Sequence, residues 1–449
     1  MSDPLIIPRP EHNVSRANIS AAALKVLYTL RDAGFQAFLV GGGVRDLLLE
    51  QSPKDFDVAT DAHPEQVKAL FRNCRLIGRR FRLAHVRFGR DIVEVATFRG
   101  TAAEDDDGND DRVTVNGRIV RDNVYGTLEE DAWRRDFSVN SLYYDIRDFS
   151  LLDYTGGMED IKTRTLRLIG DPDVRLREDP VRMLRAIRFA AKLGFRLDPA
   201  ISTAIPQYAD LLAEIPPARL YDEVLKLFMA GSAVDTLELL QRYRLLEFLF
   251  PETAICFEDD DFGPGAAMVR LALENTDKRV AEDKPVTPAF LFAALLWPPM
   301  QRDAEALLAQ GMSEMQAYET AGSDIIARQA GHVALPKRFS VLTREIWNTQ
   351  PQLVRQRGKR ALGLLGHPRF RAAYDFMLLR AQAGEPVGDI AEWWTKVQQH
   401  QGEDREKLLE APQQQQPPQS AQPATRRKRR KRRRRGGGRS KAASAPPAP

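Results

Sequence analysis

Apolar positions along the chain keep two rhythms, and the change falls near residue 178. Upstream, short apolar runs alternate with helical stretches. "SAAALKVLYTLRDAG" offers Ser20 as a helix N-cap and stops at Gly34, and "FQAFLV" then reads as a buried strand. "VRDLLLE" predicts a short helix, and "DFDVA" a strand bounded by Pro53 and the Asp61/Pro64 cluster. "PEQVKALF" predicts a helix with Pro64 in its first turn. "RLAHVRF" and "DIVEVATF" predict a hairpin that turns at Gly89 and Arg90. "TLEEDAWRRDFSVNSLYYDI" predicts a helix, a second short helix and a strand, and "LLDY" and "TLRLI" predict further short strands.

From about 178 the strand signal fades. "EDPVRMLRAIRFAAKLG" predicts one amphipathic helix ended by Gly194, with Val181, Leu184, Ile187 and Ala191 as its apolar stripe. "PPARLYDEVLKLFMAG", "AVDTLELLQRYRLLEFL", "PVTPAFLFAALLW" and "RFRAAYDFMLLRAQAG" continue in helical period. The expected fold is α+β: an N-terminal arm (1–19), a mixed-sheet head (20–175), an all-α neck (176–240) and body (241–410), and a disordered basic tail (411–449). No internal repeat interrupts this plan.

Composition changes the picture mainly at the C-terminus. Of the 66 Lys and Arg, 12 stand in "RRKRRKRRRRGGGRSK" (426–441), and the 54 that remain face 62 acids, a balance of −8. A mildly acidic globular part thus carries a cationic tail on the Pro/Gln-rich linker "APQQQQPPQSAQPAT" (411–425). Adjacent like charges with nothing apolar to bury cannot fold alone, and they bind a phosphate backbone by counterion release. Arg426, Arg427, Lys428, Arg429, Arg430, Lys431, Arg432, Arg433, Arg434 and Arg435 are the candidate RNA-binding residues. A solubilising tail and a nuclear-targeting signal are the other readings. "AAEDDDGNDD" (102–111) predicts an acidic loop. Two distant cysteines, no apolar run of membrane-spanning length and no secretory leader predict a cytoplasmic protein.

Candidate chemistry gathers in the head. On a strand, Asp55 and Asp57 would share one face while Phe56 and Val58 turn to the core. Two close carboxylates repel unless a cation sits between them. Mg²⁺ suits that role and usually brings a phosphate substrate with it. A strand with an exposed acidic face fits the same residues. Upstream, "FLVGGG" runs from a strand into a helix start, where backbone N–H groups cradle phosphate oxygens. No Gly-Lys-Ser/Thr follows, so this is not a Walker loop. Eleven residues separate Gly43 from Asp55, which sets the glycine turn beside the acid pair. Glu94, a lone acid within an apolar strand run, and Asp136, beside Arg134 and Arg135, are both candidates for a third carboxylate. Glu178, Asp179, Arg182, Arg185 and Arg188 are read as lying on a single helix, offering either a base-reading pair with phosphate contacts or intrahelical salt bridges.

These stretches together resemble the DNA-polymerase-β nucleotidyltransferase superfamily, in the class that holds bacterial poly(A) polymerases and tRNA CCA-adding enzymes. The likeness covers about 35–200 and rests on "LVGGGVRDLLL", "KDFDVAT", "EVATFRG", "EEDAWRRDFSVNSLYY", "DYTGGMEDI", "LIGDP" and "REDPVRMLRAIRFAAKLGF". It implies Mg²⁺ at Asp55 and Asp57, with Asp136 as the third catalytic acid and Glu94 as its rival. It implies triphosphate contacts at Gly42, Gly43 and Arg45, base recognition by Asp179 and Arg182, and phosphate or ribose contacts from Arg134, Arg185 and Arg188.

"LIGRRFRLAHV" (76–86) resembles the bacterial poly(A) polymerase signature, and the basic tail points to the same branch. The implied reaction is template-independent transfer of AMP from ATP to an RNA 3′-OH, marking RNA for decay, with RNA-decay or RNA-chaperone proteins as partners. The alternatives are a CCA-adding enzyme and an RNA-binding module with an inactive head.

Overall fold

The computed structural model describes residues 3–78, 82–100, 112–115, 118–122, 124–258, 263–355 and 359–410. The acidic loop, the linker, the arginine tail with Arg426 to Arg435, and the "RRF" of "LIGRRFRLAHV" therefore lie outside the described residues.

The head is built on one mixed sheet of eight strands among the described residues. These are β1 (Leu5–Ile7), β2 (Ala37–Val40), β3 (Asp57–Thr60), β4 (Cys74–Ile77), β5 (Leu83–Phe88), β6 (Asp91–Thr97), and, after a separate two-stranded pair β7 (Arg112–Val115) and β8 (Arg118–Asp122), β9 (Leu142–Asp145) and β10 (Leu151–Asp153). Their order is β1-β10-β9-β2-β3-β6-β5-β4. Neighbours are antiparallel except β3 and β6, which run parallel with Asp57 opposite Glu94. β11 (Thr165–Leu166) and β12 (Arg196–Leu197) pair separately, so "TLRLI" supplies only a two-residue strand outside the main sheet.

The helices of the head are α1 (Ala21–Asp32), α2 (Gly42–Leu48), α3 (Pro64–Leu70), α4 (Leu128–Arg134) and α5 (Gly157–Lys162). Ser20 caps α1 by accepting from the Ala23 N–H, as the sequence predicts. Thr127 and Glu130 form a capping box on α4. All of β2 is buried, with Ala37 and Leu39 in one apolar layer and Phe38 and Val40 in another. Alternation thus gives the sheet two covered faces. Val58 joins the first layer, and Asp57 lies with Ala59 on the Phe38/Val40 side.

The predicted hairpin is present, with Gly89 in the left-handed region at φ 61°. The N-terminal arm differs from expectation, because β1 extends the sheet by pairing with β10. Its exposed Leu5 and Ile6 lack the periodic signal that marks the central strands.

The expected single neck helix is two helices, α6 (Pro172–Glu178) and α7 (Val181–Leu193). Asp179 adopts φ −149°, ψ 90°, because the ring of Pro180 disfavours helical backbone in the residue before it. Glu178 and Asp179 are therefore not on the helix of Arg182, Arg185 and Arg188. Gly194 ends α7 in left-handed conformation, as predicted. Next come α8 (Pro199–Tyr208) and α9 (Pro217–Phe228), and helices from Ala233–Arg242 to Gly402–Glu410 complete the body. The run "AVDTLELLQRYRLLEFL" also breaks, after Arg242, where Arg244 takes a positive φ of 59°. One apolar core joins sheet, neck and most of the body, and a smaller one around Trp394 closes the C-terminal helices. No described helix is long and apolar enough to cross a membrane.

Candidate active site

β2 delivers the chain into Gly41, whose backbone (φ 77°, ψ −143°) only glycine adopts readily. A methyl group there would sit 3.4 Å from Asp57 Oδ2 and 3.8 Å from Arg135 Nη1. Gly43 has a similar constraint, since a Cβ would meet the Asp55 carbonyl oxygen at 3.3 Å and the Phe56 ring at 3.4 Å. The bare turn thus lets the start of α2, Asp55, Asp57 and Arg135 approach one another. Its glycines serve close packing as well as open N–H groups.

Asp55 does not share a strand with Asp57. β3 begins at Asp57, and Asp55 lies exposed in the approach to it. The carboxylate in register with Asp57 is Glu94, on the adjacent parallel strand. Burial, then the negative charges of Glu94 and Asp55, push the Asp57 carboxyl up to about 6, against the opposing pull of Arg135. Such a group gains from a nearby cation. Asp55, Asp57 and Glu94 offer hard oxygens suited to Mg²⁺, which needs only one or two carboxylates plus substrate phosphates. Among the described residues no three His, Cys, Asp or Glu side chains already form a closed cage. His85 Nε2 stands 3.0 Å from Glu94 Oε1, a neighbour that the sequence did not single out.

Arg135, rather than Arg134, faces the Asp57 carboxylate. Its Nε and Nη2 donate to Asp131 Oδ2 at 3.2 and 3.0 Å, and Nε also donates to the Tyr143 hydroxyl at 2.8 Å. Tyr143 in turn donates to Asp131 at 2.6 Å. Burial alone would lower the Arg135 pKa, but Tyr143 and Asp131 outweigh it and keep the guanidinium charged. Arg134 instead donates to the Gly100 carbonyl.

Asp136 belongs to a network that joins head to neck. Its Oδ1 accepts from the Phe137 N–H at 2.8 Å and from Asn140 at 3.4 Å, and its Oδ2 accepts from Arg185 Nε at 2.8 Å. Burial works against its ionisation, yet Arg185 and these hydrogen bonds hold its pKa below the usual value. Asn140 also accepts from Arg45 Nη1 at 2.5 Å, and Arg45 Nε donates to Asp46 at 2.8 Å. Buried Arg45 therefore ties the glycine helix to Asp136 and Arg185.

Phe189 stands at the centre of the arginines. The guanidinium carbons of Arg188, Arg45 and Arg185 lie 4.7, 5.3 and 5.9 Å from its ring centroid, and Phe137 packs edge-on at 5.7 Å. The negative ring face offsets part of the repulsion among three cations. Burial, reinforced by Arg185, lowers the Arg188 pKa, and its carboxylate partner Glu223 is 4.0 Å away.

Asp179 and Arg182, expected from the sequence to read the base, are held from two sides. Arg219 of α9 donates to both Asp179 oxygens at 2.8 and 2.9 Å. Arg182 spends Nη1 on the Arg175 carbonyl (2.6 Å) and on Glu178 (2.9 Å). Arg175 reaches back to the carbonyls of Arg134 and Arg135 at 2.8 and 2.7 Å. Arg219 lies 40 residues from Asp179, so no local spacing announces it.

Three family descriptions match the chain: "Poly A polymerase head domain" over 37–167, "Probable RNA and SrmB- binding site of polymerase A" over 194–256, and "Polymerase A arginine-rich C-terminus" over 310–435. The chain is 50% identical over 412 residues to poly(A) polymerase I of Escherichia coli O6:H1, covering 90% of this chain and 88% of the relative. The chain belongs to the poly(A) polymerase I family. A second member, from Haemophilus influenzae, is 45% identical over 92% of both chains. The CCA-adding enzyme of Lactobacillus helveticus is 39% identical but spans only 46% of this chain and 49% of its own length. Among solved structures, the Bacillus stearothermophilus CCA-adding enzyme in complex with CTP matches with a TM-score of 0.54 at 28% identity, over 83% of this chain and 80% of that one. The Thermotoga maritima CCA-adding enzyme complexed with tRNA shares the fold at a TM-score of 0.59 and 18% identity, over 89% of this chain and 87% of that one. The poly(A) polymerase I family thus shares its architecture with CCA-adding enzymes.

Proposed function

We propose that this chain extends RNA 3′ ends through the site at Gly41, Asp57 and Arg135, with the acids and arginines of the network above in defined roles. As a family member it is a template-independent polynucleotide adenylyltransferase, transferring AMP from ATP to an RNA 3′-OH with release of pyrophosphate. The observation that carries the site assignment is the meeting of Asp57 and Arg135 at the bare Gly41, where a Cβ would lie 3.4 and 3.8 Å from their side chains.

Asp55 and Asp57 are the metal pair in this reading, and Glu94 extends their carboxylate set through its register with Asp57. Bound Mg²⁺ supplies a lowered pKa for the attacking 3′-OH and charge neutralisation on the phosphates. The N–H groups of Gly42 and Gly43 hold phosphate oxygens of ATP, and Arg135 adds positive charge beside the reacting centre. Arg185 and Arg188 extend that charge along the triphosphate, while Arg45 fixes the turn against the neck. Asp136 orients Arg185 and Asn140, so its loss reaches the reaction through both. Asp179 and the unspent donors of Arg182 read the adenine edge.

The enzyme is placed in the cytoplasm, in keeping with its two free buried cysteines, and RNA-decay or RNA-chaperone proteins are the partner class. Replacing Asp57 by Ala tests the assignment. AMP incorporation should fall at least about 10³-fold with RNA affinity kept within about twofold. An Asp57→Ala variant that still incorporates AMP would overturn the metal role.

A further inference from the structure

A groove crosses the body far from the glycine turn in sequence. Two cavities, of about 300 and about 400 Å³, share Asn275, Arg279, Arg371 and Asp375 and so form one continuous depression. The helices Gly263–Ala281 and Phe370–Gln382 make its walls. The smaller cavity has an apolar floor that includes Met229, Val286, Phe290 and Ala372, with the exposed amide of Asn275 at its rim.

The charge around it is cationic. Lys278, Arg279, Arg369 and Arg371 line the two cavities against Glu274 and Asp375. Glu274 is already paired with Arg270, and Asp375 with Arg371. Arg369 is paired with Glu345. Arg279 donates to the Pro285 carbonyl, and among the described residues neither Arg279 nor Lys278 has a carboxylate within salt-bridge distance. An apolar slot beside cations that no carboxylate pairs directly suits one kind of ligand, a flat ring attached to a phosphate chain. Single-stranded nucleic acid is bound in this way.

We propose that this groove holds the single-stranded RNA upstream of the growing 3′ end, one base entering the slot by Phe290 and Asn275 while Lys278 and Arg279 meet phosphates. The inference rests on the RNA-extending reading above and adds a substrate site to it. The helix Ala233–Arg242 packs against both α7 and Gly263–Ala281, which sets the groove two helix spacings from the neck. At about 8–10 Å per spacing that is about 20 Å, or about six stacked nucleotides at about 3.4 Å each.

The test uses the full chain with Lys278→Glu and, separately, Asn275→Trp to plug the slot. Both residues are exposed, so the fold is kept. The measurement is KM for RNA primers of 4 and 20 nucleotides, with KM for ATP alongside. Both variants should raise KM for the 20-mer by about 5–10-fold, leave the 4-mer and ATP unchanged, and reduce the salt slope for the long primer by about 0.7 in Lys278→Glu. Unchanged KM for the 20-mer in both variants overturns the groove, and so does an equal rise on both primers. Neither result touches the catalytic reading, which is tested separately by AMP incorporation in Asp57→Ala.

Discussion

Asp57 carries the clearest consequence at the scale of one residue. Its folded pKa of about 6 lies above that of the unfolded chain, so the fold keeps a proton that the unfolded chain releases. Stability from this group is present at low pH and is lost as pH rises from about 4 to about 6. Asp57→Asn never ionises and escapes the loss. In metal-free buffer it should exceed the wild type by about 1–2 kcal/mol at pH 7.5, discounted for partial exposure, with a smaller gap at pH 5. Denaturant melts at the two pH values check this, and an Asn variant less stable than wild type at pH 7.5 would contradict it.

Phe189 supports a second expectation at this scale. Phe189→Leu keeps apolar bulk but removes the ring face beneath three arginines. A loss of about 1–2 kcal/mol, roughly 5–30-fold, should fall on KM for ATP with kcat nearly unchanged, and Phe189→Tyr should restore it. A loss confined to kcat would remove the ring from the account. The sequence announced Asp55, Asp57, Glu94 and the neck arginines through type and spacing. Arg135 was visible only as a flank of Asp136, and Asn140 and Phe189 stayed hidden, because their roles arise from contacts between separate elements. Arg134 and Arg135 are indistinguishable in a run of letters, and only the end of α4 decides which one turns toward Asp57.

At the scale of elements, strong periods were legible and junctions were not. The strand–glycine–helix unit and the β5–β6 hairpin follow from apolar alternation and from Gly41 and Gly89. The break between α6 and α7 was signalled by Pro180, but the amphipathic stripe of α7 hid it. That break matters because it frees Asp179 from helical geometry, so a residue on α9 must hold it. Arg219→Ala should reduce discrimination between ATP and CTP by about tenfold while single-AMP incorporation persists. Unaltered discrimination would show that Asp179 keeps its place without Arg219. The register of the parallel β3–β6 pair was not legible, since it is decided by partners distant in sequence.

The whole molecule combines a covered catalytic sheet, a helical body fused to it by one core, and a cationic C-terminus. The charge split between a net −8 globular part and the 426–441 run is a sequence-level fact with a measurable outcome. Deleting 426–441 should weaken RNA binding and flatten its salt dependence by at least about 2 logarithmic units of slope, about three lost phosphate contacts. Single-nucleotide addition should suffer less. An unchanged slope would count against RNA as the tail's partner.

On the proposed function, the enzyme builds a chain of adenylates on unrelated RNA 3′ ends, using the site at Asp57. Purified protein given radiolabelled ATP or CTP, with either generic RNA or a tRNA lacking its 3′ CCA, tests this most directly. A long adenylate ladder is expected on generic RNA, with no comparable ladder from CTP and no product from Asp57→Ala. Addition limited to three residues on the trimmed tRNA, or a ladder surviving in Asp57→Ala, would contradict it.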